Sequence, residues 1–268
     1  MEQDKILFCP DVHGRDFYKP LLNIKDIPIV FSGDYLDPYG YEGITDEHAI
    51  ENFEEILDFA KSNDNVTLLI GNHDESFLWS FMGFERTSHI YYKELHKLYR
   101  DNIKLFKPCL KRDGVLFTHA GVSNGWINMI NQDLEAKESS FRLTQDNIDV
   151  YIGNEFEKEL EFDIAVNHAW NHYLRSQIFC IGYARWGDAL YGGPFWSDFN
   201  DEYSDPEGWN LIQIFSHTQS INTGIIRTKG LGSCLDSRAI FEYNIQTNEI
   251  TFSDLNLDYV KLEHKNFI

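Results

Sequence analysis

Five short apolar runs along the chain each stop abruptly at turn-forming residues. Lys5-Ile6-Leu7-Phe8-Cys9 runs into Pro10-Asp11-Val12-His13-Gly14, and Ile27-Pro28-Ile29-Val30-Phe31 into Ser32-Gly33-Asp34. Val66-Thr67-Leu68-Leu69-Ile70 runs into Gly71-Asn72-His73-Asp74, and Val115-Leu116-Phe117-Thr118 into His119-Ala120-Gly121. Leu211-Ile212-Gln213-Ile214-Phe215 runs into Ser216-His217-Thr218. Runs this short, rich in β-branched and aromatic residues and bounded by Gly, Pro, Asn and Asp, predict buried strands.

Helical patterns lie between several of them. Asp46 to Ser62 puts Ile50, Phe53, Ile56, Leu57 and Ala60 on one face and acidic residues on the other, with Thr45 or Asp46 as candidate caps. Tyr92 to Phe106 predicts a second helix. Strand–helix–strand alternation of this kind predicts a layered α/β domain with crossover connections. The polar, acidic stretch 123–176, with scattered Trp126, Phe141, Tyr151 and Trp170, predicts a helical insertion within one domain spanning 1–268. Beyond Thr218 the pattern shortens to strands at Gly224–Arg227, Ser233–Asp236, Ala239–Tyr243 and Glu249–Phe252, the last two joined by a turn at Gln246-Thr247-Asn248.

Composition narrows the class. With 268 residues, 43% apolar and 25% charged, the chain is long enough for a real core and unlike disordered or fibrous sequences. No run approaches the roughly 18 consecutive apolar residues of a membrane span. Met1 to Lys5 lacks the basic-then-apolar pattern of a secretory signal, so a cytoplasmic protein is expected. The net charge of −20 repels phosphate backbones and anionic lipid, and there is no basic run. Neither duplex nucleic acid nor a membrane is therefore an expected partner. An anionic substrate needs a bound multivalent cation to draw it in. The four cysteines, Cys9, Cys109, Cys180 and Cys234, are far apart with no C-x-x-C pair, which predicts free thiols.

The chemistry collects at the strand ends. In α/β sheets ligands bind in the crevice beyond the carboxyl ends of the strands, and the five predicted strands deliver Asp, His, Asp, Asn, His, His and His there. Singly, each has an ordinary explanation. Asp11-Val12-His13 is a turn, Asp34 and Asp37 are carboxylates of a Gly/Pro loop, Asp74 is a helix cap, and His119 and His217 are satisfied core histidines. Their joint occurrence, each after a strand, points instead to a two-metal site.

Together, Asp11-Val12-His13-Gly14, Gly33-Asp34-Tyr35-Leu36-Asp37, Gly71-Asn72-His73-Asp74, Thr118-His119-Ala120-Gly121 and Ser216-His217-Thr218 resemble the five blocks of the calcineurin-like metallophosphoesterases. The likeness is greatest to the serine/threonine-phosphatase branch with its bacterial and phage relatives. The resemblance implies an α/β fold, a four-layer α/β/β/α sandwich, with two divalent metal ions at the strand ends. Asp11 and His13, two apart on an extended segment, project the same way and would hold the first ion. Asp34 would bridge both, and Asn72, His119 and His217 would complete the second. Mixed carboxylate, imidazole and amide donors suit Mn foremost, or Fe or Zn. Two such ions clamp a phosphoryl group and activate the attacking water. His73 is implied to be the general acid, with Asp37 holding its other ring nitrogen.

Several positions depart from the family's pattern. Pro38 stands where its Gly-Asp-x-x-Asp-Arg-Gly block supplies a phosphate-binding arginine, Gln219 where many members carry a second histidine, and Asp74 where the phosphatase branch carries Glu. Ser216 replaces the usual glycine before the histidine. Arg185, in Tyr183-Ala184-Arg185-Trp186-Gly187-Asp188, is the candidate substitute, and Asn72 is a second candidate phosphate contact; an Arg paired with nearby carboxylates is the plainer alternative. His168 and His172, four apart, form at most a surface pair. The expected function is a metal-dependent phosphoesterase acting on a phosphorylated protein or small phosphorylated compound. Two alternatives are a dinucleoside polyphosphate hydrolase, suggested by His119-Ala120-Gly121, and a catalytically weak metal-binding scaffold, suggested by Pro38 alone.

Overall fold

The computed structural model describes residues 4–79, 86–129, 141–143, 147–152, 155–161, 180–201, 212–220 and 222–256. In chain order the strands are β1 (Lys5–Cys9), β2 (Ile29–Phe31), β3 (Val66–Leu69), β4 (Phe106–Lys107), β5 (Cys109–Arg112), β6 (Val115–Thr118) and β7 (Phe141–Leu143). They continue with β8 (Asn147–Ile152), β9 (Glu155–Glu161), β10 (Ile212–Phe215), β11 (Arg227–Lys229), β12 (Gly232–Cys234), β13 (Phe241–Asn244) and β14 (Glu249–Phe252). The helices are α1 (Asp46–Ser62), α2 (Asn72–Trp79) and α3 (Tyr92–Asp101), with a short one over 124–129. This is a mixed α/β fold with two main sheets, as the strand–helix alternation predicts. The chain forms two compact units: the described parts of Met1–Lys107, Gln219–Ile226 and Leu235–Ile268, and those of Pro108–Thr218 and Arg227–Cys234.

The first unit is built on a six-stranded sheet in the order β14-β13-β1-β2-β3-β4. Strands β1 to β4 run parallel, and β13 and β14 extend the sheet antiparallel. Ile6 to Cys9 and Ile29 to Phe31 are buried at every position. An unbroken apolar run is what a parallel strand covered on both faces requires. Pro28, which has no N–H to donate, stays outside β2, although its carbonyl accepts from the Leu7 amide at 2.8 Å.

Helix α1 starts where expected, with the Thr45 hydroxyl accepting from the His48 amide at 3.2 Å. Its buried face is Ala49, Asn52, Phe53, Ile56, Leu57 and Phe59, so the predicted stripe is rotated slightly away from Ile50 and Ala60. Asn52 explains the rotation. Its Nδ2 donates to the Gly14 carbonyl at 2.8 Å and to Asp16 Oδ1 at 2.9 Å, tying α1 to the loop after β1. Helix α3 ends at Asp101, earlier than Phe106, because Asn102 Nδ2 turns back onto the Leu98 carbonyl and Phe106 is taken into β4.

The second unit holds a five-stranded sheet, β11-β12-β10-β6-β5, in which β6, β10 and β12 are parallel and the two outer strands antiparallel. A separate antiparallel sheet, β7-β8-β9, is formed by 141–143, 147–152 and 155–161. It corrects the helical reading of 123–176, which holds over 124–129 only among the described residues. The sequence of β9, Glu-Phe-Glu-Lys-Glu-Leu-Glu, alternates with period two, the signature of a strand and not of a helix. Past Thr218, the strands expected at Gly224–Arg227 and Ser233–Asp236 fall at β11 and β12, while the turn before β14 stands as expected. Leu211, His168 and His172 lie outside the described residues.

Candidate metal centre and active site

Neighbouring parallel strands bring their carboxyl ends to one edge of a sheet. In the first unit the loops after β1 and β2 carry Asp11 and His13, then Asp34 and Asp37, and the start of α2, after β3, carries Asn72 and His73, all buried despite their polarity. The backbone there is strained. Among the described residues, eight non-glycine positions adopt left-handed φ, and four are candidate site residues: His13 (46°), Asp34 (52°), Asp37 (60°) and His217 (65°). Such conformations persist only where the surroundings over-determine them, and they gather at functional sites.

Asp11, His13 and Asp34 each offer a ligand atom, and these atoms all lie within 4.8 Å of one another. His13 Nε2 is 3.6 Å from Asp34 Oδ2. Its Nδ1 donates to the Leu36 carbonyl at 2.9 Å, which fixes the tautomer and turns the Nε2 lone pair toward the carboxylates. Burial, followed by the charges of His73, Arg15 and Arg86, holds the His13 imidazole well below the usual histidine range, so it stays neutral and able to ligate. Burial, with Asp11 and Asp74 adding to it, pushes the Asp34 carboxyl well above the usual carboxylate range; the His73 amide and Arg86 oppose that shift. Two buried carboxyl groups beside a neutral imidazole, with their ligand atoms this close, form a donor set that a divalent cation fits.

The loops can approach this closely because Gly33 and Gly71 lack side chains. A Cβ on Gly71 would lie 2.1 Å from Asp34 Oδ1, and one on Gly33, itself at φ 108°, would lie 2.2 Å from the Gly71 amide nitrogen. Asp74 then fastens both loops. Its Oδ2 accepts from the amides of Gly71 (2.7 Å) and Asp34 (2.8 Å), and its Oδ1 from the Tyr35 amide (3.2 Å) and the Tyr99 hydroxyl. Burial pushes the Asp74 carboxyl up to about 7 against the pull of those four donors. This corrects the sequence reading of Asp74 as a helix cap: it is the third residue of α2, and its carboxyl reaches back to the Gly71 amide before the helix.

Beside the cluster, His73 Nδ1 pairs with Asp37 Oδ2 at 2.8 Å, and the Thr87 hydroxyl donates to the same oxygen at 2.9 Å. The His73 ring lies edge-on to His13, centroids 5.2 Å apart. Arg86 was invisible to motif reading. Its Nη2 is 3.0 Å from His73 Nε2, its Nη1 donates to the Asp37 carbonyl at 2.6 Å, and its Cζ sits 3.7 Å from the Tyr39 ring centroid. A guanidinium only donates, so Nε2 accepts here and Nδ1–H points at Asp37. Neither Arg86 nor Thr87 belongs to a block, and only tertiary packing brings them to His73.

In the second unit the ends of β6 and β10 place His119 and His217 together, with Nε2 of one 3.1 Å from Nδ1 of the other. The Ser216 amide donates to the His119 carbonyl at 2.7 Å, which fixes the pair, and the Trp196 ring stands edge-on to His217. Arg185 Nε pairs with Asp198 Oδ2 at 2.8 Å, and its Nη2 donates to the Thr218 hydroxyl at 2.7 Å. Its guanidinium is therefore seated by the Asp198 carboxylate and by the hydroxyl of Thr218, which is next in sequence to the candidate ligand His217.

A fold with buried carboxyl groups and imidazoles at its strand ends defines a candidate metal-binding site. The calcineurin-like phosphoesterase family matches residues 4–218, and the chain belongs to it. Among solved structures, a mutant cold-active protein tyrosine phosphatase is similar at 16% identity and a TM-score of 0.55, covering 92% of this chain and 76% of that one. The cold-active protein tyrosine phosphatase of a psychrophilic Shewanella species is similar at 16% identity and a TM-score of 0.50, covering 90% and 75%. At such identities the likeness is one of fold. No curated protein matches the sequence. Among the described residues, no helix is long and apolar enough to cross a membrane.

Proposed function

We propose that the chain hydrolyses phosphomonoesters, on phosphoproteins or small phosphorylated compounds, at a two-metal centre. The observation that carries this reading is the buried Asp11–His13–Asp34 cluster beside the carboxylate-held imidazole of His73. Asp11 and His13 are assigned to one ion, Asp34 to both, and Asn72, His119 and His217 to the other, with Mn as the ion best suited to the donors and Fe or Zn as alternatives. When bound, such ions offset charge on the phosphoryl oxygens and make water a nucleophile at neutral pH. Asp37 aims His73, and Nε2, once it has exchanged its bond from Arg86 for a proton taken from solvent, is the atom that passes that proton to the leaving oxygen. Asn72 and Arg185 are assigned to the substrate phosphate, Arg185 from the seat made by Asp198 and Thr218. The cytoplasm is the setting we propose, consistent with four cysteines that are all free thiols.

The test is a substrate panel on protein refilled with Mn: p-nitrophenyl phosphate, phosphotyrosine and phosphoserine peptides, and diadenosine tetraphosphate. Metal-dependent phosphate release from the monoesters is expected. The structural neighbours being tyrosine phosphatases makes the aryl phosphates the first to try. Selective cleavage of diadenosine tetraphosphate would replace this reading with the polyphosphate hydrolase, and no turnover of any would leave the scaffold.

A further inference from the structure

Pro38 leaves the loop after β2 without the arginine that resemblance to the family leads one to expect, yet a guanidinium stands at this part of the site. Arg86 grips both neighbours of Pro38: it donates to the Asp37 carbonyl at 2.6 Å and packs over the Tyr39 ring at 3.7 Å. Its Nη2 reaches His73 Nε2 at 3.0 Å. We propose that Arg86 is a phosphate-binding catalytic residue of this site, delivered from another segment of the chain to the place the loop leaves without a cation. The proposal rests on the phosphomonoesterase reading above.

The geometry supplies the reasons. In that reading the substrate's leaving oxygen must come within hydrogen-bond reach of His73 Nε2, so a donor already 3.0 Å from Nε2 is within reach of the same phosphoryl group. The bond to Asp37 and the stack on Tyr39 hold the stem and plane of the guanidinium, while the Nη2 end has only to exchange an imidazole nitrogen for a phosphate oxygen. That exchange trades a neutral acceptor for an anionic one, and the planar fork of arginine suits phosphate. It also frees Nε2 to take up a proton from solvent, the proton it then gives to the leaving oxygen. The charge of Arg86 is felt at Asp34 and His13, which places it in the field of the metal donors. In a chain of net charge −20 a cation held at this point is worth more to an anionic ligand than one on the rim.

The experiment measures inorganic phosphate binding by calorimetry on Mn-loaded wild type, Arg86→Ala and Arg86→Lys, alongside Mn content and kcat/KM for p-nitrophenyl phosphate. Arg86→Ala is expected to weaken phosphate binding at least about 10-fold and to lower kcat/KM by roughly 10- to 150-fold at unchanged Mn content, with Arg86→Lys in between. Unchanged phosphate affinity with a lowered kcat would make Arg86 a mere support for Asp37 and His73, and would overturn the proposal. Unchanged affinity and rate would also overturn it, while leaving the phosphomonoesterase reading intact. That reading fails separately, if Mn-loaded wild type turns over no monoester; phosphate affinity in Arg86→Ala still decides the role of Arg86.

Discussion

Asp34 is bound on three sides before any cation arrives: its amide donates to Asp74, its Oδ1 accepts from the His73 amide, and its Oδ2 lies 3.6 Å from His13 Nε2. Its carboxyl is raised by burial and by Asp11 and Asp74, so in the metal-free protein it keeps a proton to higher pH than an ordinary aspartate. At any pH where that proton is held, a binding ion displaces it. Metal affinity is therefore expected to rise with pH, with proton release on binding, whereas His13, already neutral, contributes none. Calorimetry of Mn binding in buffers of different ionisation enthalpy reads the release directly; a heat independent of buffer would mean that Asp34 is ionised beforehand. His73 has a separable role. His73→Asn is expected to lower kcat by roughly 10²–10⁴ at unchanged metal content, with a smaller loss for good leaving groups. A variant that instead loses metal would make His73 a ligand.

At the scale of elements, the first turn of α2 decides how the loops after β2 and β3 meet. Asp74 there accepts from three backbone amides and one phenol. Asn at this position keeps one acceptor oxygen and aims an NH₂ at donors. Asp74→Asn is therefore expected to destabilise the fold by about 2–4 kcal/mol in chemical denaturation and to weaken metal binding as the Asp34 loop loosens; wild-type stability in this variant would deny Asp74 that fastening role. The strands feeding these loops were legible because central parallel strands, covered on both faces, read as short apolar runs cut off by turn residues. The ligand candidates were legible for the same reason, each following such a run. The sheet over 141–161 was missed because its polar composition hid the period-two alternation of β9. Asp74 reads as a cap in the sequence although it lies inside the first turn of α2, because its partners in the loop after β2 are distant in sequence, and Arg86, thirteen residues from His73, reaches the site by tertiary packing with no local signal.

For the whole molecule, the net charge of −20 sets the electrostatic problem that the site must solve, since a phosphate ester meets repulsion at long range and must be held by cations at the centre. A single divalent ion among Asp11, His13 and Asp34 would leave the two histidines of the second unit without the role that the family's blocks assign them. The central claim is that both sets act, with Asp34 shared. The measurement that bears on it most directly is elemental analysis of chelator-stripped protein refilled with Mn and desalted, with p-nitrophenyl phosphate turnover followed as metal is added. About two Mn per chain are predicted, with activity appearing only as the second ion binds and with both ions weakened in Asp34→Asn. Full activity at one tightly held ion per chain or fewer would contradict the account.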